Sequence, residues 1–210
     1  MILPKLGLSR KKHLPILWLF DHTYLPHEAL KLMWSLRNFR IIEETSEDIL
    51  LKCGKFFLRA PRYYANTLRE WPIWEKHYLP NFPLHGKAVL DVGAGAGETA
   101  LLYFLHGAES VVCVEPNNSA VPYLSENILI NEWKALIIQE PFCLKHLKIP
   151  HDFMKMDIEG AEDMLLNANY DKPCVIEVHN RDILKQFLNN GFKVVHSTSP
   201  DQCLIARKRS

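Results

Sequence analysis

The sequence predicts an α/β fold: a mostly parallel sheet covered by helices on both faces, an antiparallel C-terminal hairpin and an N-terminal helix/hairpin cap. Three observations predict it. From residue 87 onward, short apolar runs alternate with helical segments, the pattern of strands joined by crossover helices. The stretch VLDVGAGAGETA (89–100) ends a buried strand in three glycines at alternate positions and then opens a helix. The end of the chain, FKVVHSTSPDQCLIARK, reads as a two-stranded hairpin.

The sequence divides into a cap segment over residues 1–80 and the main α/β domain over 81–210. HEALKLMWSLRNF places Leu30, Met33 and Trp34 at helical spacing, with Arg37 at the margin of that face. RIIEETSEDILLKCGKFFLRAP reads as a strand pair turning at Cys53-Gly54-Lys55. AVLDV is then a buried strand, and GETALLYFLHGA a helix closed by Gly107. SVVCVEP is the second strand. SAVPYLSENILIN is a helix with Ser119 as N-cap and Pro122 in its first turn, where the missing N–H costs little. KALIIQEPF and HDFMKMDIEG are strands three and four, and AEDMLLNA continues as a helix. KPCVIEVHN is strand five, and RDILKQFLNNG a helix ending at Gly191.

A chain of 210 residues with a formal net charge of +1 has no global pull toward polyanions or membranes. Its five cysteines are odd in number and never closely spaced, which excludes zinc and dithiol motifs and fits a reducing compartment. RKKH followed by LPILWLF imitates a signal peptide, but the apolar run is short and has no small-residue cleavage site. Nothing approaches the roughly 18 apolar residues of a membrane span, so a cytoplasmic protein is expected.

Parallel sheets bind ligands beyond the carboxyl ends of their strands, so the strand ends carry the chemistry. Strand one ends in Asp91, Gly93, Gly95 and Gly97, a loop that lets a ligand approach the main chain and the following helix N-terminus. Strand two ends in Glu115, twenty residues beyond Gly95, able to accept two hydrogen bonds from a ribose diol. The dinucleotide frame is wrong, because the sixth position counted from Gly93 is Glu98, a poor neighbour for a pyrophosphate. Asp91 beneath the loop suits an ammonium-bearing ligand better.

VLDVGAGAGETA resembles motif I of class I S-adenosylmethionine-dependent methyltransferases. VVCVEPN resembles their acidic second-strand motif, and GFKVVHS…CLIARK their terminal hairpin. FMKMDIEGAE and VIEVHN resemble the FkbM-type branch. The match covers residues 85–208 and implies a Rossmann-like class I methyltransferase with S-adenosylmethionine as cofactor. It implies that Asp91, Gly93, Gly95, Gly97 and Glu115 hold the cofactor, that Asn117 flanks the ribose and that Glu140 and Phe142 border the adenine.

Asp157, Glu159 and His179 are the expected catalytic groups. A spacing of two puts Asp157 and Glu159 on one side if strand four persists, with Glu162 entering the next helix. Glu177 and His179 close strand five. His179, with an ordinary pKa near ~6.5, suits the role of base toward a hydroxyl acceptor. Asp157 is the other candidate base, or could hold a divalent cation with Glu159; no resident metal is expected. The family implies a small-molecule acceptor such as a sugar hydroxyl. SRKKH, RAPRYY and RKR mix basic and aromatic residues and open a second reading, an RNA acceptor, although basic clusters such as SRKKH and RKR are more often solvated termini. A cofactor-binding partner subunit without catalysis is the third reading.

Overall fold

The computed structural model describes residues 39–79, 83–168, 170–199 and 202–207. The helix expected over 27–39 lies outside them except for Phe39, as do SRKKH and the last two residues of RKR.

A small antiparallel sheet comes first: β1 (Phe39–Glu44), β2 (Asp48–Cys53) and β3 (Phe56–Pro61) in the order β1-β2-β3. The expected strand pair is thus three strands. The extra reversal falls at Thr45, whose hydroxyl accepts the main-chain N–H of Glu47 and Asp48 at 3.1 and 3.0 Å. A 3₁₀ segment (Arg62–Glu70) and α1 (Trp71–His77) lead to the large sheet.

That sheet contains β4 (Ala88–Val92), β5 (Ser110–Val114), β6 (Ala135–Ile138), β7 (Phe153–Met156), β8 (Cys174–Val178), β9 (Lys193–Ser199) and β10 (Gln202–Arg207). Its order is β6-β5-β4-β7-β8-β10-β9, parallel from β6 through β8, with β10 antiparallel to both β8 and β9. The last strand of the hairpin therefore inserts beside β8 and leaves β9 at the edge. Helices α2 (Glu98–Leu105), α3 (Val121–Asn131) and α4 (Arg181–Asn189) join the strands. Ala120, not Ser119, occupies the N-cap of α3. AEDMLLNA forms only a 3₁₀ turn (Glu162–Asn167), since the run after Gly160 is too short for a stable α-helix.

Both faces of the sheet are covered, as the alternation in β4 shows. Val89 joins a cluster with Phe39, Trp71, Trp74 and Leu101; Leu90 and Val92 join another with Met154, Ile176 and Phe187. The first cluster is shared with the small sheet, so the cap segment and the large sheet have one core.

A polar ladder reinforces this junction. Asn127 on α3 accepts from Arg59 N (2.6 Å) and donates to Arg59 O (2.7 Å), and Asn131 does the same with Phe57 N and O (both 2.7 Å). Four helical residues rise ~6 Å and two strand residues ~6.6 Å, so asparagines at i and i+4 meet alternate residues of β3. The two side chains stand in for a missing neighbour strand. Asn127, fully buried, also donates to Ala96 O at 2.8 Å and ties the ladder to the glycine loop. Asn127→Leu keeps the volume but orphans three main-chain groups; urea unfolding should show a loss of about 2–4 kcal/mol.

Candidate active site

Strand order reverses at β4: the chain proceeds outward to β5 and β6, then returns to β7 on the other side. The crevice at that switch is where α/β sheets bind ligands. Gly93 N donates to Val114 O (2.9 Å), and Asp157 N donates to Val92 O (3.0 Å), which fixes the loops after β4 and β7. Gly93 has φ +77°, and a Cβ there would collide with the Asp157 carbonyl. Gly97, at φ +99°, opens α2 where a Cβ would press on Leu124. These two glycines therefore serve the close packing of the protein on itself, and at Gly95 (φ +55°) a Cβ would meet the Glu98 carboxylate.

Glu115 lies beside Gly95, 7% exposed, with Oε2 accepting Gly95 N and Oε1 accepting Asn117 N, both at 2.8 Å. Each oxygen keeps a lone pair for a further donor. The Asn117 side chain is engaged in its own turn, accepting Ser119 N at 2.8 Å. Asp91 does not reach the loop surface. It is 0% exposed, with Oδ2 taking the Thr99 hydroxyl (2.5 Å) and Oδ1 lying 3.5 Å from Lys155 Nζ. Burial raises its carboxyl pKa, and Lys155 and Thr99 oppose the rise. Its expected contact with the cofactor becomes an internal ion pair that braces β4 against β7.

Beyond the loop, Asp157, Glu177 and His179 converge. His179 Nε2 lies 3.9 Å from Asp157 Oδ1 and 3.6 Å from Glu177 Oε1. Behind them, Tyr78 from the turn after α1 donates to Glu177 Oε2 at 2.7 Å and lies 3.4 Å from Asp157 Oδ2. Lys155 is 1% exposed; its ammonium donates to Gly93 O (2.6 Å) and sits 3.9 Å from Asp157. His179 Nδ1 bonds buried Glu162 Oε1 at 2.6 Å.

That hydrogen bond to Glu162, helped by Glu177 and Asp157, outweighs burial and raises His179 to about 8. The shift favours the protonated imidazole near neutral pH and weighs against the expected role of His179 as a free base. Burial of Glu162 favours its neutral acid, but His179 and the main-chain N–H groups of Glu162 and Gly160 win and lower its pKa.

Glu159 does not join the group. β7 ends at Met156, so the alternation that would align Glu159 with Asp157 is lost, and Glu159 turns to solvent. Among the described residues, one ligand atom each from Asp157, Glu177 and His179 lies within 4.8 Å of the others, a set able to hold a divalent cation. Glu140 is occupied by Lys145 (2.8 Å) and His146 (2.7 Å) of its own loop. Phe142 is buried in the cluster that contains Val92 and Val114, the last residues of β4 and β5.

No protein-family model matches the chain. The ribosomal protein L11 methyltransferase of Carboxydothermus hydrogenoformans is 28% identical over 145 residues, 62% of this chain and 47% of the relative, so the chain spans about half of that relative's length. The crystal structure of the M. jannaschii tRNA m1G37 methyltransferase superposes with a TM-score of 0.51 at 14% identity, over 80% of this chain and 58% of that one. M. jannaschii TYW2 in complex with AdoMet gives a TM-score of 0.50 at 16% identity, over 80% and 87%. The chain has the class I methyltransferase fold. Among the described residues, no helix is long and apolar enough to cross a membrane.

Within this methyltransferase fold, several side chains of the crevice were not singled out by strand-end reasoning. Lys155 interrupts the apolar run FMKM, and that interruption was its signal. Tyr78 had none, because its partner Glu177 is 99 residues away. Tyr64, in the 3₁₀ segment, is half-buried within electrostatic reach of the crevice: burial raises its phenol pKa, with Glu98, Glu115 and Asp157 adding to the rise.

Proposed function

We propose that the protein is an S-adenosylmethionine-dependent methyltransferase whose acceptor is an RNA base. Glu115 is the group for the ribose diol, held rigidly by Gly95 N and Asn117 N. Asn117 and Phe142, at the ends of β5 and β6, flank the nucleoside. S-adenosylmethionine supplies an electrophilic methyl group when bound. The chain's own residues align the acceptor, shield it from water and take its proton, with Asp157 Oδ1 and Glu177 Oε1 nearest to that task.

The observation that carries the acceptor class is the aromatic surface formed by Tyr63 and Tyr64. The FkbM-type resemblance of FMKMDIEGAE and VIEVHN implies hydroxyl methylation, which needs a free base as the bond forms. Asp157 and Glu177 can take a proton from a hydroxyl or from a nitrogen, so the surface beside the site, and not His179, carries the acceptor class. Tyr63 supports an RNA base in particular. It is 61% exposed, and its ring meets edge-on at 5.2 Å that of Tyr64, which lies within electrostatic reach of Glu115 and Asp157, so an unstacked base has an aromatic platform near the site. The names of the relatives, which act on a ribosomal protein and a tRNA, favour a macromolecular acceptor as well.

Labelled S-adenosylmethionine offered with total RNA, ribosomal proteins and small hydroxylated metabolites should label the RNA fraction. Label in protein or metabolites alone would refute the RNA reading. Glu115→Ala should weaken S-adenosylmethionine binding at least about tenfold in calorimetry, since a hydrogen bond to a charged group is worth ~1.5–3 kcal/mol. NAD should not compete.

A further inference from the structure

Glu98, the first residue of α2, touches the glycine loop from the side opposite Glu115. Its carboxylate folds over Gly95 and accepts its own main-chain N–H and that of Ala96. Those donors are the ones a diphosphate takes at a loop–helix junction. Its Oε2 is buried and has no hydrogen-bond partner. A carboxylate at a helix N-terminus gains ~0.3–1 kcal/mol from the dipole, which accounts for the engaged oxygen but not for burying the other without a donor.

The charged groups acting on Glu98 are Lys155 on β7 and Asp91 on β4, and the phenol of Tyr64 lies within its field. Lys155 is committed to Gly93 O and Asp91, so it does not fill the open oxygen. Two carboxylates thus flank Gly95, Glu115 suited to a diol and Glu98 suited to a cation. Burial raises Glu98 to about 7, and a bound cation is what restores its charged form.

We propose that Glu98 is the counter-charge for the α-ammonium group of S-adenosylmethionine, and that by occupying the loop's N–H donors it also rejects dinucleotides. The inference rests on the cofactor reading given above. Calorimetry on the intact protein and on Glu98→Gln, using S-adenosylmethionine and 5′-methylthioadenosine, tests it, because the second ligand keeps the nucleoside and lacks the amino acid. Glu98→Gln should weaken S-adenosylmethionine at least about tenfold and leave 5′-methylthioadenosine unchanged. Equal S-adenosylmethionine affinity in the two proteins overturns the role of Glu98 while the cofactor reading stands. An equal loss for both ligands makes Glu98 a shaper of the loop and overturns it too. No binding of either ligand to the unaltered protein overturns the cofactor reading itself.

Discussion

Asp157→Asn should lower methyl-transfer turnover by roughly 10²–10⁴-fold, the range for a lost general base, while S-adenosylmethionine affinity stays nearly unchanged. The asparagine keeps the shape of the side chain and can still accept from Tyr78, so thermal unfolding should change little. The carboxylate is selected because it is partly exposed, its Oδ1 lying by His179 while Oδ2 faces Tyr78 and Lys155. His179 supplies the pH signature. Its folded-state pKa is raised from 6.5 to about 8, so the stability of its carboxylate contacts is fully present below pH 6.5 and lost as pH rises through about 8. Turnover should fall above about pH 8, as the imidazolium that orders Asp157 and Glu177 loses its proton. Turnover that instead climbs to a plateau above that pH would make His179 the base and remove Asp157 from the role.

Lys155→Met should destabilise the protein by about 3–5 kcal/mol at neutral pH, the cost of leaving a buried charge unpaired. Asp91 is wholly enclosed, and Lys155 is the cation beside it, at 3.5 Å. Burial already raises the Asp91 pKa, and removing Lys155 raises it further. A carboxyl whose folded pKa is raised favours the folded state at low pH and loses that advantage as pH rises through the folded pKa. The deficit of Lys155→Met should therefore shrink on acidification. Adding Asp91→Asn should recover much of it, because the amide can still accept from Thr99. Chemical denaturation of the single and double variants across pH checks both statements; a deficit independent of pH would mean that the lysine stem, not its charge, braces the strands.

The strands were legible because each is a short apolar run bounded by turn residues, and Glu115 because an acid ending such a run is costly unless used. Where the sequence misled, a local pattern met a nonlocal constraint. Glu159 pairs with Asp157 only while β7 continues, and β7 stops at Met156. Asp91 was read as facing a ligand, but Lys155, 64 residues on, reaches under the loop to meet it. Gly93 and Gly97 looked like concessions to a ligand and answer instead to the Asp157 carbonyl and Leu124.

By itself the sequence determined the alternation of strands and helices, the glycine loop and the residues at the strand ends, since burial period and backbone freedom are local properties of the chain. Only the tertiary structure decided which of those residues meet. Tyr78 reaching Glu177, Glu162 fixing His179 and the asparagines of α3 pairing with β3 all join residues far apart in the chain. The charge state of His179 follows from that same convergence, because a pKa is set by neighbours in space.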